Sequence, residues 1–280
     1  MTEVGRLLTT REVEQKVIDL VRWARARYNI PVGCGGERAC QLVGLRYRRD
    51  PLHTKSDGAL IEGCVVVSKA VTWSPRTEFT IYHEILHHLL LEDGELIEFF
   101  TSALRSNPHD YEAAIERCCH QGAAEFLMPQ DQIREIIAAR RFSADLILEI
   151  AEKYGASIIA ASIQLAVCAP IDCFVVLCSY GPVARWPPYT GLHVEYAFPS
   201  WRGRRHYWLA RFSKVPSDHL IAEAWNAQAD GDGPSYVPFP SGKRMPCHCQ
   251  ARLLHRRICA ILALEDGVPE SQLALPLGDL

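Results

Sequence analysis

Residues 83–87 read His83-Glu84-Ile85-Leu86-His87, and no other stretch restricts the chain as tightly. On a helix, positions i and i+4 share one face a single turn apart. Two imidazoles so placed can ligate one metal ion while the intervening glutamate reaches a water in the ion's open position, the minimal equipment of a zinc hydrolase. The flanking residues agree. Val65, Val66 and Val67 form a β-branched run within a strand predicted from Leu60 to Ser68. Ser74-Pro75 suits an N-cap followed by proline at the first helical position. Phe79, Tyr82, Leu86, Leu89 and Leu90 then recur at helical spacing, which buries one side of the histidine-bearing helix. In many zinc peptidases an edge strand ahead of such a helix holds an extended substrate by main-chain hydrogen bonds. The competing reading is a core helix with two internally satisfied polar residues.

A catalytic zinc takes three protein ligands and leaves one position for water. The third must come from downstream, where Asp110 to Leu127 reads as a second helix with Ile115, Cys118, Cys119, Gly122 and Phe126 on its apolar side. Small residues Cys119, Gly122, Ala123 and Ala124 would let it approach the first helix closely. Spacing alone does not choose among Glu112, Glu116, His120 and Glu125.

A resemblance chooses. The run from Arg76 to Leu91 looks like the metal helix of the ImmA/IrrE metallopeptidases, and Ile115-Glu116-Arg117-Cys118-Cys119-His120-Gln121-Gly122-Ala123-Ala124-Glu125-Phe126-Leu127-Met128-Pro129 resembles that family's second signature. A further string, Ser235 to Pro246, resembles the C-terminal domain of the IrrE branch, so the likeness runs from about residue 12 to about residue 265. It implies that His83, His87 and Glu116 bind the metal and that Glu84 is the catalytic base. Zinc is the default ion for this donor set, and manganese or iron would satisfy the same ligands. Two positions depart from the family pattern. His120 stands where Asn or Asp is usual, and Glu78 where arginine commonly precedes the Phe-Thr of the metal helix. Tyr82, Tyr111 and His120 are candidates for stabilising the oxyanion. His88, about 100° around the helix from its neighbour, belongs outside the ligand set.

The resemblance also implies the fold and the substrate. The expected class is α+β: a zincin-like metallopeptidase domain over residues 1–130, a helical helix-turn-helix-like segment over 131–170, and a C-terminal GAF-like α/β domain over 171–280 that senses a small ligand or docks a partner. The substrate it implies is a helix-turn-helix repressor, cut once so that a DNA-damage response to radiation or desiccation is released.

Pattern alone supports the division. Ile147 to Cys168 has two short helices around Tyr154-Gly155-Ala156. Strands are predicted beyond Ile171 at Cys173 to Ser179, His193 to Phe198, Tyr207 to Ser213, Met245 to Leu254 and Arg257 to Leu264, with one helix from Ser217 to Ala227. A DNA-reading regulator is the rival function. Yet Ser157 to Ala166 offers no cation, and Asp145, Glu149 and Glu152 outnumber Lys153 on the preceding helix, so phosphates would be repelled. Arg202, Arg204 and Arg205 read as a solvated turn. A formal charge of −3 gives no overall basic field, so direct DNA binding is not expected. No run of 18 apolar residues or signal-like segment occurs, so the expected location is the cytoplasm, with no membrane association. The 11 cysteines then read as small core residues. Cys247-His248-Cys249 on a strand would point its side chains alternately, away from a common ion.

Overall fold

A computed structural model describes residues 10–52, 56–103, 108–184, 188–200 and 208–264. The chain forms two compact units, Met1–Pro129 and Gln130–Leu280, and is mixed α+β. The first unit runs α1 (Thr10–Tyr28), α2 (Gly36–Leu42), β1 (Arg46–Asp50), β2 (Gly58–Ile61), β3 (Cys64–Ser68), α3 (Ser74–Glu92), α4 (Gly94–Ala103) and α5 (Pro108–Leu127). Its three-stranded sheet has the order β1-β3-β2, with β1 parallel and β2 antiparallel to the fully buried β3.

The predicted single strand from Leu60 to Ser68 is in fact a hairpin. Glu62 and Gly63 both adopt positive φ, 46° and 68°, which is the two-residue turn that suits strand twist. Glu62-Gly63 breaks the apolar run between Ile61 and Cys64, but Glu-Gly is not among the strong Asn-Gly or Asp-Gly hairpin signals, so the two short runs read as one strand. Helix α3 begins at Ser74, with Trp73 at the N-cap position and no side-chain cap, so Ser74 opens the helix instead of capping it.

Helices α1, α3 and α5 pack around one core that includes Val17, Val21, Ile85, Leu86, Leu89 and Phe126. The approach of α3 to α5 is set by Gly122. A Cβ there would lie 2.6 Å from both Cγ and Cδ1 of the fully buried Leu86. Gly122→Val is therefore expected to cost ~1–3 kcal/mol by overpacking. It should also weaken metal binding at least ~10-fold by parting the two helices that carry the expected ligands, which urea unfolding and a metal titration would measure.

The second unit runs α6 (Gln130–Ala139), α7 (Asp145–Lys153), α8 (Ile158–Cys168), β4 (Cys173–Val183), β5 (Tyr189–Pro199), α9 (Leu220–Ala227), β6 (Gly231–Pro238), β7 (Arg244–Leu254) and β8 (Arg257–Leu264). The sheet is antiparallel, ordered β5-β4-β8-β7-β6. Cys173 to Cys178 are all buried, as a central strand covered on both faces requires. Phe174, Val176 and Cys178 share a core with Ile221 and Ala224 of α9, and α8 packs against β4 and β5. Arg252 on β7 makes two hydrogen bonds, of 2.5 and 3.0 Å, to Asp145 in the first turn of α7.

One strand expectation fails here, and one strand was not expected. Residues 208–213 form no strand: Arg211 and Phe212 make a turn, with Phe212 at φ 65°, and only Lys214 bridges to His193. In the opposite sense β6 is a strand despite its Gly-Asp-Gly-Pro opening. It lies at the sheet edge, where proline and glycine are tolerated. Arg202, Arg204 and Arg205 lie outside the described residues.

Cys247 and Cys249 are buried, whereas the side chain between them, His248, reaches Asp232 at 2.5 Å on the other face. All eleven cysteines are free thiols, ten of them buried. Among the described residues no helix is long and apolar enough to cross a membrane.

Candidate metal centre

Helix α3 presents His83, Glu84 and His87 to a cavity of about 320 Å³, and α5 presents Glu116 and His120 to the same space. His83 Nε2 lies 3.1 Å from His87 Nε2. The two oxygens of Glu116 lie 3.1 Å from His83 Nε2 and 3.2 Å from His87 Nε2. The three residues thus close a ring of contacts, with a different Glu116 oxygen against each histidine.

This spacing fits one small ion. Bonds of about 2.0–2.1 Å in tetrahedral geometry place neighbouring donors roughly 3.3 Å apart. Hydrogen bonds alone do not account for all three contacts: if Nε2–H of each histidine donates to its own Glu116 oxygen, the 3.1 Å contact between the two nitrogens has neither a free proton nor a lone pair to support it. Burial, followed by the neighbouring His120 and His87, pushes His83 down to about 4, and burial also lowers His87. Both imidazoles are neutral near pH 7, so their lone pairs are available to a metal.

The competing carboxylates go elsewhere. Glu125 is buried and faces Arg22 at 4.0 Å, while Glu112 is exposed and does not line the cavity. His88 pairs with Glu92 at 3.4 Å. Tyr82 is buried against Phe126, ring centroids 5.1 Å apart, with its hydroxyl 3.6 Å from Cys34 Sγ. Tyr111 packs at the margin of the same core. Neither tyrosine lines the cavity, whereas His120 does. Glu78 accepts a 2.5 Å hydrogen bond from Gly36 N–H at the start of α2, which gives the departure from arginine a local role away from the metal ligands.

Glu84 is buried on the same turn as the histidines, and the backbone N–H of Leu60 on β2 hydrogen-bonds its carboxylate. Burial, then the charge of Glu116, raises its pKa to about 7 against the opposing effect of that N–H. The raised carboxyl favours folding at low pH, and this contribution is lost as pH rises through about 7. In chelator-stripped protein, Glu84→Gln should match the parent near pH 4 and exceed its stability by up to ~3 kcal/mol at pH 8. Urea midpoints at the two pH values test this.

Sequence reasoning missed Gly58, Thr80 and Cys119. Gly58 lets the edge strand approach α3, since a Cβ there would lie 2.5 Å from Thr80 Cγ2 and 3.1 Å from Glu84 Oε1. Thr80 lines the cavity one turn before Glu84, and that i, i+4 spacing was the available signal. Cys119 brings its sulfur within 4.8 Å of donor atoms on His83 and His87. Burial, then Glu116, raises its thiol pKa, which disfavours a thiolate ligand.

The sequence profile described as Peptidase_M78, IrrE N-terminal-like domain, matches residues 42–166, which contain all three residues of that ring. The chain is 29% identical over 205 residues to the radiation response metalloprotease IrrE of Deinococcus radiodurans, covering 70% of this chain and 62% of that protein. It is 29% identical over 202 residues to the protein of the same name from Deinococcus deserti, covering 70% and 69%.

These matches support an ImmA/IrrE family protein. The alignment with the first of these relatives spans less than two thirds of its length. A Mycobacterium tuberculosis transcriptional regulator of known structure has a similar fold, with TM-score 0.50 at 11% identity over 90% of this chain and 87% of that one. The match to a metallopeptidase family suggests a metal ion, and His83, His87 and Glu116 have the donors to hold one.

Proposed function

We propose that the protein is a zinc-dependent, site-specific endopeptidase that cleaves a helix-turn-helix transcriptional repressor and so induces a DNA-damage response to radiation or desiccation. One observation carries this reading: three metal-type donors stand 3.1–3.2 Å apart beside a buried carboxylate on the same helix. His83, His87 and Glu116 would hold the ion. When bound, it supplies Lewis-acid polarisation of the scissile carbonyl. Zinc fits two imidazoles and a carboxylate, with manganese or iron as alternatives.

Glu84 takes the proton from the attacking water and delivers it to the leaving nitrogen, a role suited to a carboxyl raised to about 7. Leu60 N–H fixes that carboxyl and ties it to β2. Because β2 is an edge of the sheet and Gly58 lines the cavity, an extended peptide can lie along it by main-chain hydrogen bonds. Such binding selects an unfolded or loop segment of the substrate rather than a helix.

In this reading the first unit is zincin-like and the second GAF-like, acting in the cytoplasm as a sensor or docking module. A cavity of about 410 Å³ beside Tyr180, Lys214 and Trp225 would admit a small ligand. Helix α8 carries no cation and buries Ala161, Leu165 and Ala166, which agrees with a supporting role instead of DNA contact. The names of the Deinococcus relatives support the link to a radiation response.

The test compares new protein N-termini in host cells making the native chain or Glu84→Gln, before and after DNA damage. A stress-dependent cut in a helix-turn-helix repressor, present only with Glu84, is the expected result. An intact repressor response with no glutamate-dependent cut would instead indicate a non-catalytic regulator.

A further inference from the structure

Two pairs of side chains face the cavity, each pair one helical turn apart: His83 and His87 on α3, Glu116 and His120 on α5. The three-donor site leaves His120 without a task. His120 Nδ1 lies 2.6 Å from the backbone carbonyl oxygen of Glu116. A carbonyl only accepts, so Nδ1 carries the proton, and neutral His120 keeps its lone pair on Nε2. Histidines that bind metals characteristically hold their second nitrogen in this way, which fixes tautomer and ring orientation.

The ring is also held from the side. It stands at 69° to the His83 ring with centroids 4.6 Å apart, and leans on Phe79 at 5.7 Å. A ring nitrogen of His120, a ring nitrogen of His83 and a carboxylate oxygen of Glu116 lie within 4.8 Å of one another. His120 is exposed, so core packing does not account for its place.

We propose that His120 is a fourth, displaceable protein ligand of the same ion. The loaded chain then rests with four protein donors, the closed arrangement of a structural site, and admits water only when His120 leaves. Departure needs only a side-chain rotation into solvent, with no movement of α5. The proposal rests on the His83–His87–Glu116 reading.

Cobalt(II) titration of the full chain tests it, with stoichiometry, dissociation constant and visible absorption as readouts and azide as a probe of an open position. The parent should bind one ion with a four-donor spectrum insensitive to azide. His120→Ala and His120→Asn should still bind one ion, at least ~10-fold more weakly, with spectra that respond to azide. Variants that keep the parent's affinity and azide insensitivity would overturn the fourth ligand and leave the three-donor site standing, as would a parent that responds to azide at the same concentrations as its His120 variants. Unchanged cobalt binding by His87→Ala would remove the three-donor site, and the proposal with it.

Discussion

Glu84→Gln is expected to bind metal as the native chain does and to lose ~10²–10⁴-fold in peptide cleavage, the usual contribution of a positioned general base. The amide keeps the shape of the carboxylate, and its oxygen can still accept from Leu60 N–H, so the contact between α3 and β2 survives. It cannot take a proton from water. Because Glu84 lies outside that ring of donor residues, ion stoichiometry should not change. The measurement is single-turnover cleavage of the repressor identified in cells, with bound zinc determined in the same samples. Cleavage at the native rate by the zinc-loaded variant would assign proton transfer to another group. Because burial also shifts Glu84 in the stripped protein, the same variant separates two roles. It should gain stability at high pH while losing turnover, whereas a purely structural glutamate would lose both.

Much of the centre could be read from local spacing. His83, Glu84 and His87 are placed by a single helical turn, and the apolar stripe through Leu86 and Leu89 says which side of α3 is buried. Choosing Glu116 was different. Helix α5 offers acidic residues in several directions, and the orientation that excludes Glu112 and Glu125 depends on how α5 crosses α3. That crossing is set by Gly122 against Leu86, a contact between residues 36 positions apart. Local periodicity contains no term for it; the family signature supplied the choice.

The misread strands have the same origin. The apolar residues on either side of Glu62-Gly63 read as one strand although the chain reverses there, and β6 is stable despite Pro234 because its outer edge needs no partner. Edge status and strand pairing are properties of the assembled sheet. Gly58 was hidden for a related reason. In sequence, Asp57-Gly58 reads as a turn, whereas in the fold the missing side chain lets β2 approach the Glu84 carboxyl.

His87→Ala and Glu116→Gln should each weaken zinc binding by more than ~100-fold, beyond the range for loss of a group that merely orients a ligand. Neither change should unfold the stripped protein. Glu116 is half exposed, and its charge raises the pKa of buried Glu84, so its removal relieves a repulsion. His87 sits at the cavity wall and is only partly buried, so alanine leaves a space open to solvent instead of a sealed void. Competition titrations against a chromophoric chelator would give the affinities, and urea unfolding in excess chelator would show whether the fold is retained. Glu112→Gln, an exposed change on the same helix away from the cavity, should leave the affinity as it was. Equal losses from Glu112 and Glu116 would mean that the charge of α5 attracts the ion without a carboxylate bond. A loss confined to Glu116 and the histidines would mean that the packing of α3 on α5 builds the site.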